Sequence, residues 1–488
     1  VADVLVPFDD AQSAGTKVPE KLRTEIGVVA EPVADSRVLA GFARRPRLAD
    51  GIFSAVDAAL AAGGNSTAVQ VPGDSTANAP DEWVYLLSEW LADRHPDAHV
   101  KYKLWDDATQ AYGAWSVLQA GASGERYALF TNNSRTFYLP YASFPHISGD
   151  IDIRVRVRLD DWTPASSQDL VAHYGAAGQR GFIFQVNSSG ALSFLWTTDG
   201  TTNISRSSTG AAIADGTEAW VRVTLDVDNG SGGYTATFYK STDGVTWTTI
   251  TNSVVPGSTT SIFDASATDY EIGGRGLNAE MLMGRIYEVQ IRDGIDGKIV
   301  NPQPIDSWTP RGVSGSYIAG TFGGSPTLYV LNGSKPGANL TYLADSGRLP
   351  KMIHPYAGSV VFQSCSHNDA TTDVGAAYLT ARKAFSDAID ARVPGCQQVI
   401  LTQNPQIAPF GADYIQAHAR RRKLLMGYAA RAGLVVIDTY KAFLDWPAGV
   451  ADLVEASDGV HPTAADGSGE TGEEVWLKAI TDAWDQVA

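Results

Sequence analysis

The chain has 488 residues, 44% of them apolar and 19% charged, and a formal net charge of -17. That length exceeds what one hydrophobic core organises, so two or three domains are expected. The acidic balance argues against nucleic acid or an anionic membrane surface as the main partner, since both reward clustered Lys and Arg.

No apolar run approaches the ~18 residues of a membrane span. The stretch Val1-Ala2-Asp3-Val4-Leu5 lacks the basic-then-apolar pattern of a secretory signal. Residues 1–66 read as an appendage whose one clear period is Leu48, Ile52, Val56 and Leu60, ended by Gly63-Gly64. So narrow a helical stripe must dock, on the body of the chain or on a neighbouring copy.

From Ala68 a short apolar run, the turn Gly73-Asp74-Ser75-Thr76 and a helix bearing Trp83, Leu86, Leu87 and Trp90 follow in strand, turn, helix order. A second strand is expected at Val100 to Trp105. Between 118 and 303 the style becomes all-β. Ile151, Ile153, Val155, Val157 and Leu159 alternate with Asp152, Arg154, Arg156, Arg158 and Asp160, and the segment Ser241-Thr242-Asp243-Gly244-Val245-Thr246-Trp247 is a hairpin turn. These short strands predict a two-sheet sandwich. Its arginine face is either solvated or packed on the rest of the chain.

After Pro302 strands and helices alternate again, with strands at Leu328 to Leu331, Val360 to Gln363, Val399 to Thr402 and Leu434 to Ile437. The expected fold class is therefore α/β, a parallel sheet in two pieces, 67–117 and 304–488, interrupted by the sandwich. Cys365 and Cys396 fall at opposite edges of that sheet, beyond disulfide reach, and are expected as free thiols.

Four polar segments lie at expected strand ends. Ser75 sits on a tight turn that projects a hydroxyl at the carboxyl edge of the sheet. Asp458-Gly459-Val460-His461-Pro462 sets an Asp three residues before a His, close enough to fix the imidazole tautomer and leave the other nitrogen as a base. Ser366-His367-Asn368-Asp369 offers a side-chain amide to an oxyanion, and Asn332-Gly333-Ser334-Lys335-Pro336-Gly337 offers backbone N–H groups. Each segment also has a plain structural reading as a turn or helix cap.

Together and in this order the four resemble the blocks of the SGNH (GDSL-type) hydrolase family. The resemblance covers about 67–117 and 304–488. It implies a flavodoxin-like three-layer domain and a serine esterase that needs no metal or organic cofactor. Ser75 would be the nucleophile, His461 the base and Asp458 its orienting partner, with the oxyanion held by the Ser75 and Gly333 N–H groups and the Asn368 side chain. The pattern departs from the family at Thr76, at Ser366 and in the spacing of the glycine block, which leaves Gly337 and Ser334 as rivals to Gly333. His367 either touches substrate or is a loop histidine without a role.

The sandwich looks like a concanavalin A-like (laminin G-type) jelly roll. Trp162, Tyr174 and Trp196 are its candidates for stacking on sugar rings, against the commoner reading of buried aromatics. Asp226, Asp228 and Asn229 form either a calcium loop or a solvated turn. The three-part arrangement is also similar to phage minor tail proteins, which implies an extracellular or virion-tail setting and virion or self-association through 1–66. The leading expectation is an esterase removing acyl groups, acetyl first, from a cell-envelope polysaccharide or glycoconjugate. A receptor-binding adhesin with a non-catalytic hydrolase scaffold and an esterase or lipase for small esters are the alternatives.

Overall fold

The computed structural model describes residues 53–61, 63–131, 136–276, 280–311 and 320–485. Most of the appendage lies outside these residues, including Leu48 and Ile52 of its stripe. The part described is the short helix Ser54–Leu60, which buries Val56 and Leu60 against the α/β unit, while Phe53 stacks on Trp484 at 4.0 Å between ring centroids. The described end of the stripe thus docks on the body of the same chain.

Six parallel strands organise that unit: β1 (Thr67–Gly73), β2 (His99–Asp106), β3 (Thr327–Ser334), β4 (Val360–Gln363), β5 (Gln397–Leu401) and β6 (Val435–Ile437). Their order is β6-β5-β4-β1-β3-β2, extended beyond β2 by antiparallel pairing with Ala111–Tyr112 and Ser116–Gln119. β1 and β3 are buried along their whole length because helices cover both faces of the sheet. Trp83, Leu87 and Leu91 of helix Trp83–Arg94 pack on one face with Trp476 and Ile480 of helix Gly472–Trp484. Phe385 and Ile389 of helix Ala376–Arg392 and Leu425 and Tyr428 of helix Ala412–Ala432 pack on the other. The chain lays β3 on one side of β1 and β4 on the other, so the winding reverses at β1. Open α/β sheets form their ligand crevice at the carboxyl ends of the strands at such a point.

Between β2 and β3 lie two antiparallel sheets of seven and eight strands. Ile151, Ile153, Val155, Val157 and Leu159 are fully buried between them, as the alternation predicts. The arginine face turns largely toward the α/β unit. Arg156 Nη1 lies 2.6 Å from Glu125, whose other oxygen takes Lys101 Nζ of β2 at 2.8 Å, and Arg154 pairs with Asp152. Sheet membership changes between 119 and 127. The return comes later than the 304 that the sequence suggests, because Thr309–Pro310 and Thr321–Gly323 still pair with sandwich strands. In the acidic turn, Asp228 and Asn229 accept the N–H groups of Gly230 and Ser231. Among the described residues no cluster of His, Cys, Asp and Glu is placed to hold a metal, and no helix is long and apolar enough to cross a membrane. Cys365 and Cys396 are both buried, and neither forms a disulfide.

One packing detail carries a pH dependence. Glu473 is buried at the start of the last helix, where its carboxyl accepts the Trp83 N–H at 2.8 Å. Burial, aided by the nearby Glu82, pushes it well above the ordinary range, and burial pushes Glu82 itself up to about 7. Both groups bind protons more tightly in the folded chain. The stability each contributes is therefore complete below the unfolded value of about 4.3 and is lost as pH rises through its folded value, about 7 for Glu82. Glu473→Gln keeps the acceptor without the charge. It is expected to raise Tm by a few degrees at pH 8 and to leave it unchanged at pH 4; equal shifts at both pH values in a melting series would contradict this.

Candidate active site

At the end of β1 the backbone passes through Gly73, where a Cβ would lie 2.4 Å from Ser334 Oγ, so a larger residue would have to displace that hydroxyl. The turn is clamped on both sides: Lys335 N–H donates to the Gly73 carbonyl and Ser364 N–H to that of Pro72, each at 3.1 Å. Asp74 is fully buried. One of its oxygens accepts the Thr76 N–H and hydroxyl (3.2 and 2.8 Å), and the other accepts Gln403 Nε2 at 2.8 Å. With Asp74 and Thr76 turned inward, the half-buried Ser75 is the residue of the turn whose hydroxyl faces the crevice.

His461 meets it there, its Nε2 2.8 Å from Ser75 Oγ. On the far side of the ring Nδ1 lies 2.6 Å from Asp458 Oδ2, while Asp458 Oδ1 accepts the N–H groups of Val460 and His461 at 2.7 and 3.1 Å. Burial alone would raise the Asp458 carboxyl, but the hydrogen bonds from His461 and Val460 outweigh it and hold the group below the usual carboxylate range. An ionised Asp458 accepts Nδ1–H, which leaves Nε2 as the acceptor for the Ser75 proton. The loop needs Gly459, at φ 71°, because a Cβ there would lie 2.1 Å from the Ile407 carbonyl oxygen. The side chains of His461 and Asp458 are 39% and 41% exposed, so the site is open to solvent.

Asn368 stands on the loop after β4, next to the Ser75 turn. Its Nδ2 donates to the Ala338 carbonyl at 3.0 Å, which leaves its second N–H uncommitted. Gly333 lies inside β3 opposite Pro72 and has a packing reason of its own: a Cβ there would lie 2.7 Å from Met352 Cγ. Gly337, in the left-handed region at φ 74°, sits on the exposed turn beyond Lys335. Ser334 is buried and its hydroxyl has no hydrogen-bond partner among the described residues. Asn332, matched in the same block, braces the site by donating to the Ala77 carbonyl and, at 2.7 Å, to the Tyr102 hydroxyl.

The residues that sequence reasoning missed are Gln403 and Asn404. Gln403, buried and at φ 58°, donates to Asp74 and accepts the Ser366 hydroxyl and the His367 N–H at 2.8 and 3.0 Å. One side chain therefore ties the Ser75 turn to the Asn368 loop. Asn404 Nδ2 reaches the Val460 carbonyl at 2.7 Å and so ties in the His461 loop. The available signal was position: both follow β5 at the same sheet edge as the other polar segments.

Several expected substrate contacts are corrected. His367 is 1% exposed and donates Nε2–H to the Asn404 carbonyl at 2.8 Å, so it braces the loop from inside. Trp162 and Trp196, 2% and 0% exposed, belong to the sandwich core. Tyr174 is half-buried, its hydroxyl bonded to Asn203 and its ring flanked by the guanidinium groups of Arg180 and Arg275. The two tryptophans offer no ring face to a sugar.

No family model matches the sequence, and no curated protein matches it. Solved structures similar to it include a peptidoglycan O-acetylesterase, at 11% identity over 89% of this chain and 95% of that one, with a TM-score of 0.36. A lipase/acylhydrolase from Enterococcus faecalis matches 32% of this chain and 74% of its own at 20% identity and a TM-score of 0.25. The CBM40 domain of the Ruminococcus gnavus IT-sialidase, bound to alpha2,3 sialyllactose, matches 37% of this chain and 93% of its own at 13% identity and 0.26. The neighbours thus include both acylhydrolases and carbohydrate-binding sandwich domains, at scores that carry no weight beside the geometry of the site itself.

Proposed function

We propose that the chain is a serine esterase that hydrolyses acyl esters, acetyl first, on a cell-envelope polysaccharide or glycoconjugate. The observation that carries this reading is the unbroken relay from Asp458 through His461 to the Ser75 hydroxyl, at 2.6 and 2.8 Å. Ser75 Oγ attacks the ester carbonyl carbon as its proton passes to His461 Nε2. The developing oxyanion is met by the Ser75 N–H, by Asn368 Nδ2 and by the Gly333 N–H near the end of β3. Collapse breaks the bond to the alkoxy oxygen, which takes the proton from His461 and leaves as the alcohol. Water, deprotonated by the same nitrogen, then releases the acid from the acyl-serine. No step needs a metal or an organic cofactor.

The exposure of His461 and Asp458 favours a polymer-borne ester, which must reach the serine while most of the substrate stays in solvent. The sandwich, folded between the two pieces of the α/β unit, would present that polymer. The test is covalent: a fluorophosphonate should label the folded protein once, on the peptide containing Ser75, as read by mass spectrometry. Denaturing the protein or converting His461 to Ala should abolish labelling. A Ser75 that stays unlabelled in the native chain would overturn the proposal.

A further inference from the structure

The sandwich and the α/β unit meet along a cleft of about 330 Å³, to which β2 and its following loop contribute Lys103, Tyr112 and Trp115, and the sandwich contributes Arg292, Trp220 and Trp247. The hairpin carrying Trp247 is rigid, because Asp243 Oδ1 accepts the Ser241 hydroxyl and the N–H groups of Val245 and Thr246 at 2.7 to 2.8 Å. Trp247 stands edge-on to Trp220, with the guanidinium groups of Arg154 and Arg222 each 5.4 Å from its ring centroid.

The carboxylates of this cleft are already engaged. Asp243 serves its own turn, Asp106 accepts the Ala108 N–H and the Thr109 hydroxyl at 3.0 and 2.9 Å, and Asp296 is held by Arg154 and Arg222. Two of the cations are not matched in this way. Lys103 is only 5% exposed, yet among the described residues its ammonium makes no hydrogen bond and no ion pair. It lies over the rings of Trp115 and Tyr112, at 4.1 and 4.9 Å from their centroids. Arg292 spends its guanidinium on the neutral oxygens of Gln290 and Gly297. Glu288 acts on Lys103 from a distance but bonds to Gln290. Glu288 on Lys103, and Asp152 and Asp296 on Arg292, act only from a distance, and a buried cation without a contacting counter-charge is costly. Burial draws Lys103 down to about 7 and Arg292 to about 9, and a bound anion would restore both.

We propose that this cleft binds an acidic sugar residue, its carboxylate held by Lys103 and Arg292 and its ring packed on the indoles of Trp115 and Trp247. The volume is at the small end for ligand pockets, suited to a sugar unit of a longer chain. The loop after β2 also reaches the Ser75 edge: Asp107 accepts the Tyr342 hydroxyl and lies 3.7 Å from Lys335, whose N–H is bonded to the Gly73 carbonyl. The same loop thus links the cleft to the turn that carries Ser75, and binding itself does not require the esterase reading.

The test is a tryptophan-fluorescence titration of the full chain with trigalacturonate, a hyaluronan tetrasaccharide and 3′-sialyllactose, against maltotriose, lactose and sodium phosphate. At least one acidic oligosaccharide should saturate, and the neutral sugars should not. Lys103→Met and Arg292→Gln should each weaken binding by about tenfold, the loss of one charge-assisted contact, and Trp247→Ala by a similar factor. If Lys103→Met does not fold, the other two variants decide. The proposal falls if no acidic sugar saturates by ~10 mM, if neutral sugars bind equally, if phosphate alone reproduces the response, or if the variants bind as the wild type does. Ser75→Ala should bind unchanged, so a failure of the esterase reading would leave this one standing.

Discussion

Ser75→Ala is expected to lower kcat on p-nitrophenyl acetate by about 10⁴- to 10⁶-fold, the scale on which removing a nucleophile that acts as a unit with its base disables a hydrolase. The substitution removes one oxygen. It leaves the turn intact, because Gly73, Asp74 and Thr76 hold their bonds to Lys335 and Gln403 without the Ser75 side chain. The melting temperature should stay within about a degree or two of wild type, since no buried contact is lost. Turnover that survives in Ser75→Ala at more than about a hundredth of the wild-type rate would move the chemistry elsewhere in the molecule.

Asp458→Asn should cost on the order of 10³- to 10⁴-fold in kcat with KM nearly unchanged. The two N–H groups of Val460 and His461 already fix one oxygen of Asp458, at 2.7 and 3.1 Å. An asparagine must keep its oxygen on those donors, which turns its NH₂ toward His461 Nδ1. Nδ1 then becomes an acceptor, the proton moves to Nε2, and the nitrogen facing Ser75 can no longer take the serine proton. Steady-state kinetics across pH separates this from simple loss of the loop. The wrong-tautomer variant keeps its KM and regains rate as hydroxide takes over the base's work, whereas a collapsed loop loses both parameters at every pH.

The relay was legible because each of its parts is local. A Gly-Asp-Ser turn after an apolar run, and an Asp three residues before a His, announce their geometry within a few residues, and the α/β rhythm supplies the shared sheet edge. Gln403 was not legible, because its role exists only when the ends of β1, β4 and β5 are side by side. The aromatic assignments failed for a reason the sequence contained. Leu192, Phe194 and Trp196 share one strand face at period two, the mark of a core position, and all three are fully buried. Trp247 follows an Asp-Gly turn instead, where strands end and surfaces begin. The cleft it lines lies between two separately patterned units, and no local pattern describes it.

The position of the sandwich also bears on how this chain folds. Ser66 and Thr327, joined by a hydrogen bond at the start of the β1–β3 ladder, are 261 residues apart in sequence. Pairing so distant is slow to nucleate, because the entropy of closing the loop is spent before any contact repays it. The first and last strands of the sandwich, Tyr127–Phe130 and Thr321–Gly323, lie side by side. Once the sandwich has formed, the loop left to close shrinks to roughly a quarter of its length, which lowers the closure cost by about 1 kcal/mol. The insertion then acts as a splint that delivers β3 to β1, and a lesion in the sandwich would first show as slow recovery of activity after refolding, before any change in the chemistry at Ser75.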